Sequence, residues 1–208
     1  MITLFGAVSP NVQKVAILLS ELGLEYEIKL IDLERGEQSK APFLRQSPNG
    51  RVPMIEDSAT GASIWESGAI LQYLCETYDT AGRLLPLSGH VRFEVLQYVF
   101  FQAANIGPAL GHLNAQLSAD ADARVPAMRD KFLQEAIRLM GVLERLLEGG
   151  NHYLAGEYSI ADIMHYPWLK PAFDMGFSAV TESVALSTWL NRIESRPAIK
   201  EGMQAFAM

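Results

Sequence analysis

Residues 47–56 read SPNGRVPMIE, and residues 65–70 read WESGAI. The first stretch is a turn signal, then Val52-Pro53, then a short apolar run. Proline cannot donate a ladder hydrogen bond, so near a strand it is confined to the first residue, an edge or a bulge. Two geometries are open. Pro53 is either a trans proline opening a strand, or part of a cis X-Pro bond where the chain turns tightly. In the cis form the N–H and C=O of Val52 face outward and are able to pair with an extended peptide. The second stretch ends one strand and starts a helix. Amides at a helix N-terminus bind carboxylates, and the Ser67 hydroxyl adds a donor. Glu66 is placed to accept an ammonium. Plain capping by Ser67, with Glu66 near the helix dipole, explains the same residues.

Outward from these stretches the pattern is regular. ITLFGA (2–7) is β-rich. PNVQKVAILLSELG (10–23) puts Val12, Val15, Leu19 and Leu22 on one helical face, with Pro10 in the first turn and Gly23 at the stop. EYEIKLID (25–32) alternates as a strand does. A β-α-β unit this short implies a parallel pair with a crossover helix. One weak helical turn surrounds Phe43 and Leu44. VPMIED and ASIWE flank Thr60-Gly61 as an antiparallel hairpin, and 67–79 is an amphipathic helix. The predicted order over 1–79 is therefore β-α-β-α-β-β-α. Turn residues over 80–88 link it to 89–208, which is helical throughout. There the first long helix is interrupted at Gly107-Pro108, since an internal proline removes a hydrogen bond and kinks the helix. A second long helix ends at Gly149-Gly150. SIADIMHYPWLKPAF opens a third, whose Ser159 and Asp162 fit a capping box. Two shorter helices, over 182–197 and 198–208, close the chain.

Composition narrows the function. The chain has 208 residues, a net charge of −7 and no basic stripe. Nucleic acid and anionic membrane surfaces are not expected partners, because phosphate binding needs clustered Lys and Arg. No apolar run approaches the ~20 residues of a membrane helix. The N-terminus lacks a basic region and a cleavage signal, so no secretory leader is expected. The single cysteine, Cys75, points to a reducing, cytoplasmic setting and excludes an internal C-x-x-C pair. Its mid-helix place among Tyr73, Leu74 and Tyr78 reads as burial. The four histidines have no ligand-like spacing, and no metal is expected. Trp65, Trp168 and Trp189 read as core residues.

Ser9-Pro10-Asn11 opens the first helix. A thiolate placed there is stabilised by the helix end and by hydroxyl or amide donors. The protein has no cysteine at that point, so any thiol must come from a ligand. Capping by Ser9 is the simpler account of the same residue.

A first-helix N-terminus, then Val-Pro, then Glu-Ser, all within β-α-β-α-β-β-α, resembles the thioredoxin-like domain of glutathione transferases. The helical region with its S-x-x-D box is similar to that family's second domain. Ser9-Pro10-Asn11, Gln38, SPNGRVPMI, ESGAIL and GPALG (107–111) look most like the nu-class and Ure2-like branch. The fold implied is an α/β thioredoxin-like domain (1–79) followed by an all-α domain (89–208). The ligand implied is glutathione, as co-substrate. By resemblance, Glu66 and Ser67 hold its γ-glutamyl end. Val52 pairs with the cysteinyl unit across a cis-Pro53 turn. Gln38, with Lys131, serves the glycyl end, and Ser9 and Asn11 face the sulfur. Val12 stands where the branch usually has glycine and is expected to add bulk beside the thiol. Phe101, Asn105 and His112 are candidates for an acceptor pocket. The activity implied is attack of a glutathione thiolate on electrophiles, with disulfide reduction, in a cytoplasmic homodimer. An isomerase or dehalogenase, or a non-catalytic interaction module, are the alternatives on this scaffold.

Overall fold

The structure, a computed structural model, describes residues 1–206. The last two residues of the helix expected over 198–208 lie outside the described residues. The chain forms two compact units. One comprises Met1–Gly89 with the C-terminal stretch from Glu194, and the other is His90–Ile193.

The first unit is built on strands β1 (Ile2–Gly6), β2 (Tyr26–Leu30), β3 (Met54–Asp57) and β4 (Ala62–Trp65). Helices α1 (Pro10–Glu21), α2 (Ala41–Leu44) and α3 (Ser67–Tyr78) interleave with them in the predicted order. The sheet order is β2-β1-β3-β4. β1 and β2 are parallel, with Leu4 opposite Ile28. β1–β3 and β3–β4 are antiparallel, with Leu4 opposite Ile55 and Ile55 opposite Ile64. β2 is an edge strand, and its apolar residues Ile28 and Leu30 are exposed. α1 is covered on several sides, by β1, α3 and the last helix, and almost all its central residues are buried.

The second unit begins with α4 (His90–Phe101) and α5 (Gly107–Ser118), joined by a π-helical turn over Gln102–Ile106. The expected interruption thus appears as a widened turn just before Pro108. A wide turn relieves the clash between the proline ring and the preceding carbonyls. Trp168 packs over Gly107 and Gly111, where a Cβ would stand 3.5 Å from its ring at Gly111. α6 (Pro126–Glu148) and α7 (Ile160–Asp174) follow, then a short α8 (Ser178–Thr181) that the sequence pattern does not reveal, and α9 (Val184–Glu194). Both halves of the predicted capping box form: Ser159 Oγ accepts from Ala161 N at 3.2 Å, and Asp162 accepts from Ser159 N at 3.1 Å.

α10 (Pro197–Gln204) departs from the sequence reading, which placed it with the helical region. It packs on α1 in the first unit. Gly202 lets the two helices meet, because any Cβ there would collide with the backbone of Ile17. The Arg196–Glu21 ion pair, at 2.7 Å, closes the same contact.

Candidate functional site

The SPNG stretch is a turn closed by Gly50 N to Ser47 O at 2.9 Å, with Gly50 at φ +63°. A positive φ is why glycine stands there. Ser47 is fully buried, and its hydroxyl donates to the carbonyl of Arg51 at 3.0 Å. The turn delivers the chain to Val52-Pro53, whose peptide bond is cis. Of the two geometries open to the sequence, the structure adopts the cis form. Val52 packs against Phe5, Ile31, Phe43 and Met54. It enters none of the backbone hydrogen bonds of the loop.

Glu66 holds the N-cap position of α3, at φ 71° and ψ 120°. It is the sole non-glycine at positive φ among the described residues. Such a conformation costs about 1–3 kcal/mol and persists where surroundings impose it, often at binding sites. Asn49 of the turn donates to Glu66 Oε1 at 3.2 Å, tying the loop to the helix end. Ser67 is the first helical residue and makes no cap bond, so the capping account of Ser67 is not what the structure shows. At α1, Ser9 occupies the N-cap position without a side-chain cap bond.

These pieces line one cavity of about 860 Å³. Ser9, Asn11, Gln38, Val52, Pro53, Glu66 and Ser67 all face it. Its size falls in the range of small-molecule sites. Two helix N-termini contribute to its wall, which gives it anion-binding character at two points. Gln38 Nε2 approaches the carbonyl of Leu33 at 3.5 Å, while its Oε1 is buried in the wall without a hydrogen-bond partner. Lys131 is not among the lining residues; it is exposed on α6 in the second unit.

Two readings of side chains change. Val12 is not among the residues that line the cavity. It is fully buried, and a Cβ on Gly6 would stand 2.5 Å from Val12 Cγ1. The valine fills space over β1 that a glycine would leave open. Trp65 is not a core residue: it is 39% exposed and forms part of the cavity wall. Its position as the last residue of an edge strand, just before the helix end, was the available signal. Phe101, Asn105 and His112 lie in the second unit and do not line this cavity. His112 stacks on Phe132, and Asn105 donates to the carbonyl of Phe101.

Sequence reasoning missed Lys14. Its side chain is 1% exposed, and Nζ donates to Asn11 Oδ1 at 2.8 Å. Burial pushes its ammonium well below the ordinary lysine range, and the charge of Glu66 works in the opposite sense. The signal was its spacing: Asn11 and Lys14 are three residues apart on one helix, hence neighbours.

Residues 1–76 match the family described as glutathione S-transferase, N-terminal domain, and residues 116–197 match glutathione S-transferase, C-terminal domain. The chain is 36% identical to the disulfide-bond oxidoreductase YfcG of Escherichia coli, over 98% of this chain and 94% of that one. Among solved structures it resembles a glutathione transferase homolog from Lodderomyces elongisporus with two GSH per subunit. That likeness has a TM-score of 0.92 and 31% identity, and covers 98% of both chains. It also resembles the glutathione transferase URE2P8 from Phanerochaete chrysosporium with oxidized glutathione. Here the TM-score is 0.91 with 31% identity, covering 99% of this chain and 95% of that one.

Proposed function

Since the chain belongs to the glutathione transferase family and has Ure2-like relatives, we propose that the cavity at the cis Val52-Pro53 turn binds glutathione and activates its thiol. The observation that carries this reading is the convergence of Ser9, Asn11, Val52, Glu66 and Ser67, from three separate segments, on one cavity. Glu66 receives the γ-glutamyl ammonium, and the Ser67 hydroxyl with the α3 amides receives the carboxylate. The cysteinyl backbone pairs with Val52 as an added strand residue. The buried Oε1 of Gln38 accepts an N–H from the glycyl end. The sulfur then lies at the α1 N-terminus, between Ser9 and Asn11.

A free thiol titrates near ~8.5, so most glutathione is protonated at neutral pH. Lowering that value by ~2 units requires ~2.7 kcal/mol in favour of the thiolate. A hydrogen bond to a charged group contributes ~1.5–3 kcal/mol, and a helix end adds up to ~1. Ser9, Asn11 and α1 together are sufficient. The thiolate attacks an electrophilic carbon, or one sulfur of a disulfide. In the second case a new S–S bond to glutathione forms, and the other sulfur leaves as a thiolate and takes up a proton. A second glutathione completes the reduction by attacking the mixed disulfide, which yields glutathione disulfide and the second thiol. The residues facing the sulfur are a hydroxyl and an amide, so the redox change resides in the ligand.

We place the enzyme in a reducing cytoplasm as a homodimer. Support for dimerisation comes from α4, which is apolar around much of its circumference and leaves Phe93 and Phe100 exposed. The test is direct. Purified protein is titrated with glutathione by calorimetry and assayed for glutathione-dependent reduction of a small disulfide. Binding with turnover above the uncatalysed rate supports the reading. Binding without turnover against disulfides or carbon electrophiles turns it into an interaction module, and absence of binding removes it.

A further inference from the structure

The sulfur end of the cavity carries a feature the proposed chemistry does not yet use. Asn11 lines the cavity, and behind it lies a lysine that is almost wholly removed from solvent. Lysine is rarely buried to this degree without a purpose for its charge or its hydrogen bonds. Lys14 Nζ donates to Asn11 Oδ1.

An asparagine amide has two ends of nearly equal shape and opposite polarity. The oxygen accepts and the nitrogen donates. Against a thiolate the two orientations are not equivalent. With Nδ2 towards the sulfur the amide donates to the negative charge. With Oδ1 towards it, two electron-rich atoms face each other. Lysine offers only donors in its charged form and still offers donors in its neutral form. It therefore engages the oxygen end and leaves the nitrogen end turned away from itself.

We propose that Lys14 is a positioning residue for thiol activation: by holding Asn11 Oδ1 it orients the amide so that Nδ2–H donates to the sulfur of the bound thiol. This rests on the glutathione reading of the cavity and adds to it the group that sets the polarity of its sulfur end. A purely structural role predicts changed stability and uniform loss of binding. A positioning role predicts a changed thiol pKa.

The test uses the full chain with glutathione as probe. Affinity is read by calorimetry, and thiol ionisation by the ultraviolet absorbance of the thiolate across pH. In Lys14→Met, glutathione affinity should stay within about threefold of wild type, while the bound thiol pKa rises by about one unit. At neutral pH the ionised fraction then drops from about three quarters to about one quarter, so turnover falls about threefold and recovers as pH is raised. Lys14→Gln, which keeps an N–H donor without the charge, should recover part of the loss. In an Asn11→Ala background, Lys14→Met should add no further shift. An unchanged thiol pKa in Lys14→Met overturns the proposal. So does a full further shift in the Asn11→Ala background, which would mean the lysine charge acts on the sulfur directly. Should Lys14→Met fail to fold, the wild-type protein decides. With nitrogen-15 labelling, the Asn11 side-chain amide must shift as the bound thiol ionises, and must not do so with S-methylglutathione. Wild-type protein that does not bind glutathione removes the underlying reading and this inference together. Binding with an Asn11 amide indifferent to ionisation removes this inference alone.

Discussion

Ser9 and Ser67 are both serines at helix starts, and neither uses its hydroxyl to cap its helix. Serine at such positions ordinarily bonds a first-turn amide. Both residues line the cavity instead, and in the proposed reading their hydroxyls serve the ligand's sulfur and carboxylate. Ser9→Ala should lower kcat/KM about 10- to 100-fold, the equivalent of one hydrogen bond to a charged group. Glutathione affinity should change by less than threefold, because the hydroxyl matters most once the thiol is ionised. Steady-state kinetics with calorimetry of the same variant check this. Equal losses in both would place Ser9 in ground-state binding. These serines were legible in the sequence as cap candidates. Their use was not, because a cap bond and a ligand bond require the same residue at the same place.

At the scale of elements, the capping box of α7 also serves as a tertiary link. Asp162 is fully buried and accepts from Ser159 N, Leu154 N and Trp189 Nε1. It thereby ties the helix start to α9. Burial pushes its carboxyl up to about 6, although all three donors favour the charged form. The folded value lies above the ordinary 3.8, so the folded chain holds this proton where the unfolded chain has lost it. The resulting contribution is full below pH 3.8 and is lost as pH rises through about 6. Thermal unfolding between pH 4 and 7 should show this slope, and Asp162→Asn should abolish it. That variant should also lose about 1–3 kcal/mol, because an amide cannot accept from every donor the carboxylate satisfies. Ser159→Ala should cost about 1 kcal/mol.

The α1–α10 contact makes a second prediction at this scale. Gly202→Ala places a methyl group against the backbone of Ile17, which cannot yield as a side chain does. Destabilisation of about 1–3 kcal/mol is expected from overpacking, measured by denaturant unfolding. A neutral effect would mean α10 docks loosely. Nothing local in the sequence around Gly202 announces this. A glycine within a helix reads only as a weak helix former until its neighbour is known.

For the whole molecule, the exposed Phe93 and Phe100 on α4 bear on assembly. Sedimentation should find twice the mass of one chain, and Phe93→Ser with Phe100→Ser should shift the protein towards monomer. A monomeric wild type would leave this apolar face to another partner.

By itself the sequence determined the element order over 1–79, the turn before Val52, the interruption before Pro108 and the capping box of α7. Each follows from chemistry within a few residues: hydrophobic period, the missing proline N–H, glycine at positive φ, and amides needing acceptors at a helix start. The tertiary structure alone decided that Lys14 is buried behind Asn11, that Val12 fills the core over Gly6, that Trp65 walls the cavity and that α10 joins the first unit. The physical reason lies in α1. A helix covered on one side shows its buried stripe in its periodicity. A helix covered by a sheet, by α3 and by α10 has few exposed positions left to mark the difference. Which of its buried residues serve the core and which serve the site is then set by what arrives from distant parts of the chain.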